Sequence, residues 1–164
     1  MNKFNDFTIR LIEKKDNQFI AKIIRNCLEE FNANKPGTVY FDSTTDDLYS
    51  LFNEPNSVYY VVEKEGIIYG GAGLFPTPQL PSNTVELVKI YLTPQVRKIG
   101  LGKYLIEYLF KEATKLGYNK IYLESMPELA GAVNLYLKMG FKKRGNPLGN
   151  SGHCGCDIWM EKNI

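Results

Sequence analysis

An α/β domain of the α+β type, built on a mixed sheet, is what the sequence predicts. Three observations carry it: short β-branched and aromatic runs recur along the chain, two long stretches repeat apolar residues at helical spacing, and a helix joins two of the strand-like runs. Phe7–Ile12 reads as a first strand. Asp16 is placed to cap a helix in which Ile20, Ile23, Ile24, Cys27, Leu28 and Phe31 share a face, and Lys35-Pro36-Gly37 stops it. Ser43 with Asp46 fits a capping box, predicting a short helix over Thr44–Phe52. Val58–Glu63 and Ile67–Phe75, turned at Lys64-Glu65-Gly66, form an antiparallel hairpin; Gly70-Gly71-Ala72-Gly73 inside it marks a bulged strand. Pro76, Pro78 and Pro81 force an irregular loop. Val85–Leu92 is a strand, Ile99–Leu116 a helix ended by Gly117, and Lys120–Glu124 a strand parallel to the one before the helix. Pro127 opens a helix that closes at Gly140. Phe141–Arg144 and Cys156–Lys162 are the last strands, giving the order β-α-α-β-β-β-α-β-α-β-β.

Composition narrows the class. The chain has 164 residues, 44% hydrophobic and 23% charged, in the range of one globular domain spanning residues 1–164. A net charge of +2, with no run of Lys or Arg, argues against nucleic acid or an anionic membrane as partner. No apolar run approaches the ~18 residues of a membrane span. The first residues lack the apolar stretch of a secretory signal. Cys27, Cys154 and Cys156 are an odd number, best read as free thiols. The expectation is a soluble, cytoplasmic protein.

The chemically informative stretch runs from Val85 to Lys103: a strand, a Thr93-Pro94 loop, then Arg97-Lys98-Ile99-Gly100-Leu101-Gly102-Lys103 opening a helix. Unpaired N–H groups and the positive end of the helix dipole make such a start a phosphate site. Two glycines in one helical turn cost about 1 kcal/mol each against alanine, and close approach of a ligand to bare backbone is a reason to keep them. The dinucleotide G-x-G-x-x-G fails at Leu105, and the P-loop fails at Arg97 and Tyr104.

The remaining pattern, R-x-x-G-x-G after a strand, resembles the pyrophosphate loop of the GCN5-related N-acetyltransferases (GNAT). Ala132-Val133-Asn134-Leu135-Tyr136-Leu137-Lys138-Met139-Gly140-Phe141 is similar to that family's second signature, A-x-x-L-Y-x-K-x-G-F. Gly149–Met160 is similar to the end of a subgroup, some members of which are fused to MarR-type repressors. Many members carry Asn where Leu129 stands here, which removes one side-chain contact to the cofactor.

The resemblance implies a GNAT fold whose parallel strands splay at their carboxyl ends, with acetyl-coenzyme A as co-substrate and an amine as acceptor. It places the pantetheine arm against the backbone of Ile90, Tyr91 and Leu92, and the pyrophosphate on Arg97, Lys98, Ile99, Gly100, Leu101, Gly102 and Lys103, with Asn134 completing the cofactor set. It also implies that Tyr136 protonates the leaving thiolate; helical spacing by itself would make Tyr136 a core residue beside Leu129 and Val133. Glu86 lies fourteen residues before Gly100, where some histone acetyltransferases of the family hold a base. Strict alternation puts it on one face with Val88 and Ile90, where apolar neighbours raise its pKa.

His153, the only histidine, sits on a glycine-flanked loop as a second base or an acceptor contact. His153, Cys154, Cys156 and Asp157 lack a second Cys/His pair for structural zinc, so no metal is expected. Acetyl transfer to a small-molecule amine is the leading expectation. A non-catalytic acyl-coenzyme A sensor, a protein lysine or N-terminal acetyltransferase and a homodimeric assembly remain open at this stage.

Overall fold

A computed structural model describes residues 2–164. Among these residues eight strands form one sheet in the order β1-β2-β3-β4-β5-β6-β8-β7. They are β1 Asn2–Phe4, β2 Phe7–Leu11, β3 Val58–Lys64, β4 Ile67–Phe75, β5 Thr84–Leu92, β6 Lys120–Ser125, β7 Lys142–Arg144 and β8 Ile158–Asn163. The helices are α1 Asn17–Glu30, α2 Leu48–Leu51, α3 Leu101–Lys115 and α4 Ala130–Lys138. Only β5 and β6 pair in parallel; every other neighbouring pair is antiparallel.

The sheet separates two cores, because side chains alternate across each strand. On one face Leu101, Leu105, Ile106 and Leu109 of α3 and Val133 of α4 pack on Val62, Leu74, Val85 and Leu87. On the other, Ile20, Ile24 and Leu28 of α1 with Leu48 of α2 pack on Tyr59 and Val61. No helix is long and apolar enough to cross a membrane among the described residues.

Several local expectations need correction. The first strand, β1, was not expected from the sequence: three residues turn back at Asn5 (φ 51°) to pair with β2, and so short an edge strand leaves little pattern. Asp16 does not cap α1 with its side chain. Its buried carboxylate instead accepts from Arg10 at 2.8 and 3.0 Å and from the Glu13 amide at 2.8 Å. The Thr44–Phe52 helix is broken into a 3-10 turn over Ser43–Asp46 and the single turn of α2, because Asp47 adopts φ −139°. The expected capping box is absent there. Asp42 caps the first turn through the Thr44 amide and Asp47 the second through that of Ser50, while Asp46 pairs with Arg25.

Helix α3 starts at Leu101 rather than Ile99, since Lys98 (φ 62°) and Gly100 (φ 88°) hold the preceding loop out of the helix. Pro127 opens a 3-10 turn to Leu129 before α4 begins. The last two strands are shorter or shifted by one or two residues, as fraying ends are.

Candidate active site

Strands β5 and β6 pair only from Thr84↔Lys120 to Glu86↔Tyr122. Beyond Glu86 the two have no shared register, and Tyr91 and Leu92 keep partners on β4 alone, as Gly71↔Tyr91 and Gly70↔Leu92. A fork therefore opens at the carboxyl ends of the parallel pair, the position where open α/β sheets hold ligands.

The loop at Arg97–Lys103 stands at this fork. The first helical hydrogen bond of α3 runs from the Tyr104 amide to the Gly100 carbonyl at 3.0 Å, so the amides of Leu101, Gly102 and Lys103 precede it. No side chain caps them. A Cβ built on Gly102 would stand 3.6 Å from Leu92 Cδ1 and 3.7 Å from Leu135 Cδ2, so the protein itself has room for a side chain there. These are free donors beside open backbone, which fits a pyrophosphate.

Arg97 is held elsewhere. Its Nε donates to the Leu92 carbonyl at 2.9 Å, its two terminal nitrogens meet Glu30 at 2.8 and 2.9 Å, and its plane covers Phe31. The guanidinium thus braces the end of β5 against α1, leaving Lys98 and Lys103 as the exposed cations of the loop. Asn134 is exposed on α4, and Leu129 packs at the edge of the α1-side core.

A bulge reshapes β5 just past the fork. Lys89 has φ 51°, and the β4–β5 register shifts between Gly71 and Gly73. A bulge inserts one residue and reverses the alternation after it. Val88 and Tyr91 consequently pack on the α1 side, and Leu87 and Ile90 on the α3 side. Ile90 is therefore not on the face of Glu86, contrary to strict alternation, although Val88 is. The Tyr59 hydroxyl donates to the Lys89 carbonyl at 2.9 Å and pins the bulge. Side chains at Gly71 and Gly73 would approach the Tyr59 ring to 2.7 Å, which explains the glycine run.

Glu86 is 3% exposed and borders a cavity of about 200 Å³ with Asp42, Thr77, Val88, Lys89 and His153. Burial pushes its carboxyl up to about 7, with Glu124 adding to the rise; the hydrogen bond from Thr77 Oγ1, 2.5 Å, and the charge of Lys89 oppose it. His153 Nε2 lies 3.1 Å from Asp42 Oδ2, and the two form a polar wall of the cavity that Glu86 also lines. Burial raises Asp42, but the Thr44 hydroxyl and amide, His153 and Lys89 outweigh it and leave the carboxyl below its ordinary value. Burial lowers Lys89, against the pull of Asp42 and Glu86.

Tyr136 is 5% exposed on α4 and meets Phe141 edge-on at 5.8 Å between ring centres. Burial, with nothing opposing it, raises its hydroxyl well above the ordinary tyrosine value. Tyr91, from the other side of the sheet, is raised first by burial and then by Tyr136, Cys156 and Cys27, so these groups come together at the fork. Cys154 is exposed, and burial pushes the Cys156 thiol up to about 12, far from a thiolate nucleophile.

The structure thus brings Glu86 and His153 to one cavity, and the loop of Arg97–Lys103 to the opposite end of the fork. Lys89 and Asp42 were missed as site residues. Strict alternation puts Lys89 on the face away from Glu86, so its one signal was a charge within an apolar strand.

Comparison with known proteins assigns this fold and fork to an acyl-transfer family. The profile of the acetyltransferase (GNAT) family matches residues 21–141. The uncharacterized N-acetyltransferase YjgM of Escherichia coli (strain K12) is 35% identical over 158 residues, covering 95% of this chain and 94% of that protein. Human N-acetyltransferase 8 is 31% identical over 122 residues, 70% of this chain; the match spans about half, 54%, of that longer relative. Among solved structures, spermidine N-acetyltransferase from Vibrio cholerae, in complex with CoA and spermine, superposes with a TM-score of 0.69 at 24% identity, over 98% of this chain and 96% of that one. The PaiA N-acetyltransferase of Thermoplasma acidophilum, in complex with coenzyme A, gives 0.73 at 21%, over 96% and 99%. The chain belongs to the GNAT family and is an N-acetyltransferase of it.

Proposed function

We propose that this protein transfers an acetyl group from acetyl-coenzyme A to the amine of a small molecule, acting as a single-domain enzyme of the cytoplasm. The observation that carries this reading is the buried Glu86 carboxyl, poised near 7, beside a small cavity at the fork of β5 and β6. The free amides of Leu101–Lys103 hold the pyrophosphate, and the unpaired edge of Ile90–Leu92 aligns the pantetheine arm.

The acceptor arrives as an ammonium and must lose a proton before its lone pair attacks the thioester carbonyl. A carboxylate with pKa near the working pH is matched to that task. The nitrogen–carbon bond forms, the carbon–sulfur bond breaks, and the thiolate takes a proton. Tyr136 supplies it: a phenol is protonated at neutral pH, and burial makes this one hold its proton more tightly until a thiolate forms beside it. His153 shapes the acceptor wall with Asp42. The glycine-rich segment Gly149–Met160, which includes His153, is the part of the chain akin to the MarR-fusion subgroup.

An acceptor screen that detects free coenzyme A thiol tests the proposal. Release that depends on an added amine is expected. Tight acetyl-coenzyme A binding with no release across a broad amine set would favour a sensor instead.

A further inference from the structure

The cavity beside Glu86 holds a cation that the transfer chemistry does not require. Lys89 is 8% exposed and faces Glu86, Asp42 and His153 across that cavity. An ammonium has three donors. Asp42 and Glu86 act on this one through their charge alone, without a hydrogen bond to it. Asp42 takes the Thr44 amide and hydroxyl on one oxygen and His153 on the other, and Glu86 takes Thr77 on Oε2.

Burying a cation without a partner is costly. Here the cost is accompanied by a second one, since Lys89 sits at φ 51°, a left-handed conformation uncommon for a residue with a side chain. The Tyr59 hydrogen bond to its carbonyl holds that conformation. Strain of this kind gathers at ligand sites, and a bulge re-aims a side chain. In a regular strand the residue after Val88 would face the α3 core; the bulge delivers its ammonium to the acceptor cavity instead.

We propose that Lys89 binds a carboxylate of the acceptor, so that the substrate class is a small amine carrying its own carboxylate, as an amino acid does. The inference rests on the acetyl-transfer reading above. A zwitterion places its ammonium toward Glu86 and Asp42 and its carboxylate toward Lys89, matching the charges of one small cavity. At about 200 Å³ that cavity is below the roughly 300–1,000 Å³ of sites for drug-sized ligands. An adjoining hollow of about 340 Å³, which shares Ser151 and His153 and reaches Cys156 and Trp159, leaves room for the acceptor's own side chain. A polyamine would bring a second cation against Lys89, where like charges repel.

The test compares amino acids, their α-carboxamides and the corresponding decarboxylated amines, with spermidine added, by thiol release from acetyl-coenzyme A. In the wild type we expect kcat/KM for a carboxylate acceptor to exceed that of its carboxamide by about thirtyfold or more, the scale on which a buried charge loses its partner. The ratio should fall toward one in Lys89→Met and survive in Lys89→Arg. A melting shift with acetyl-coenzyme A shows that each variant is folded, and the wild-type ratio decides the matter even if Lys89→Met is not. Equal use of carboxylates and carboxamides by the wild type, or a folded Lys89→Met that keeps the preference, overturns the inference. Transfer to carboxamides or spermidine alone overturns it while leaving acetyl transfer standing; acetyl-coenzyme A binding with transfer to none of these acceptors overturns both.

Discussion

At the start of α3 the groups offered to a ligand come from seven consecutive residues, Arg97–Lys103, and the ones that matter there are backbone amides. The cavity at the other end of the fork draws its polar groups from distant stretches: Asp42, Thr77, Glu86 with Lys89, and Ser151 with His153. Backbone donors exist whatever side chains they carry, so the loop is altered only by changing shape. The cavity is altered one side chain at a time. Under the proposed acetyl transfer, the first end suits a donor that never varies and the second the choice of an acceptor.

Tyr136, standing at the fork between the two ends, should give the largest effect. Tyr136→Phe keeps the ring against Phe141 and removes only the hydroxyl. Turnover is expected to fall by about 10²–10⁴, the range for a lost general acid, with acetyl-coenzyme A affinity little changed. Wild-type turnover in the Phe variant would make this residue part of the packing and leave the fork without a proton donor.

Glu86→Gln probes the acceptor end alone. We expect kcat/KM at neutral pH to drop by about 10²-fold and the acidic limb of the profile, centred near pH 7, to disappear. Stability should respond as well. The folded carboxyl titrates near 7 and the unfolded one near 4.5, so the native state retains its proton longer. Below 4.5 both states are protonated; as pH rises toward 7 the unfolded state alone ionises and the wild type loses stability. The Gln variant escapes that loss, and its advantage should grow between those values and level off above. Urea titrations at pH 4, 6 and 8 measure it; a constant difference would show that Glu86 is not held near neutrality.

Gly102→Leu does the reverse, touching the donor end alone. The neighbouring side chains leave ordinary contact distance for a Cβ, so the variant should fold. In the wild type, ligand at ~100 times its Kd should add about 2.7 kcal/mol, a rise of several degrees in Tm. The added side chain should abolish that rise by covering the amides. Equal shifts in both proteins would remove the loop from the binding site.

The smallest effect is expected from His153→Ala. It releases Asp42 from one hydrogen bond and widens the cavity wall. Acceptor KM should rise several-fold with kcat nearly preserved. If His153→Ala instead erases the acidic limb and Glu86→Gln retains it, the base has been assigned to the wrong wall.

The loop before α3 was legible because its information is contiguous. A strand, two glycines at fixed spacing and a helix start follow one another in Val85–Lys103, and the chemistry needs only that local order. The helix at Tyr136 was legible for the same reason. The two cores followed from apolar periodicity, since burial on a helix or strand face repeats with the backbone.

Elsewhere local rules competed on nearly equal terms and contacts far along the chain decided. Asp46 matched a capping box by spacing, yet Arg25, twenty-one residues earlier, holds it; Asp16 was a plausible cap until Arg10 took its carboxylate. The bulge is the clearest case. Nothing within Val85–Leu92 marks it, because it depends on Tyr59 reaching the Lys89 carbonyl from β3 and on glycines of β4 making room for that ring. By itself the sequence determined a sheet with helices on both faces and a glycine-marked turn before a helix, properties that repeat or adjoin along the chain. Only the tertiary structure decided that Ile90 leaves the face of Glu86, that Lys89 joins it, and that Asp42 and His153 close the same cavity. Those facts depend on one inserted residue and on side chains more than a hundred positions apart, whose meeting is decided by packing rather than by local preference.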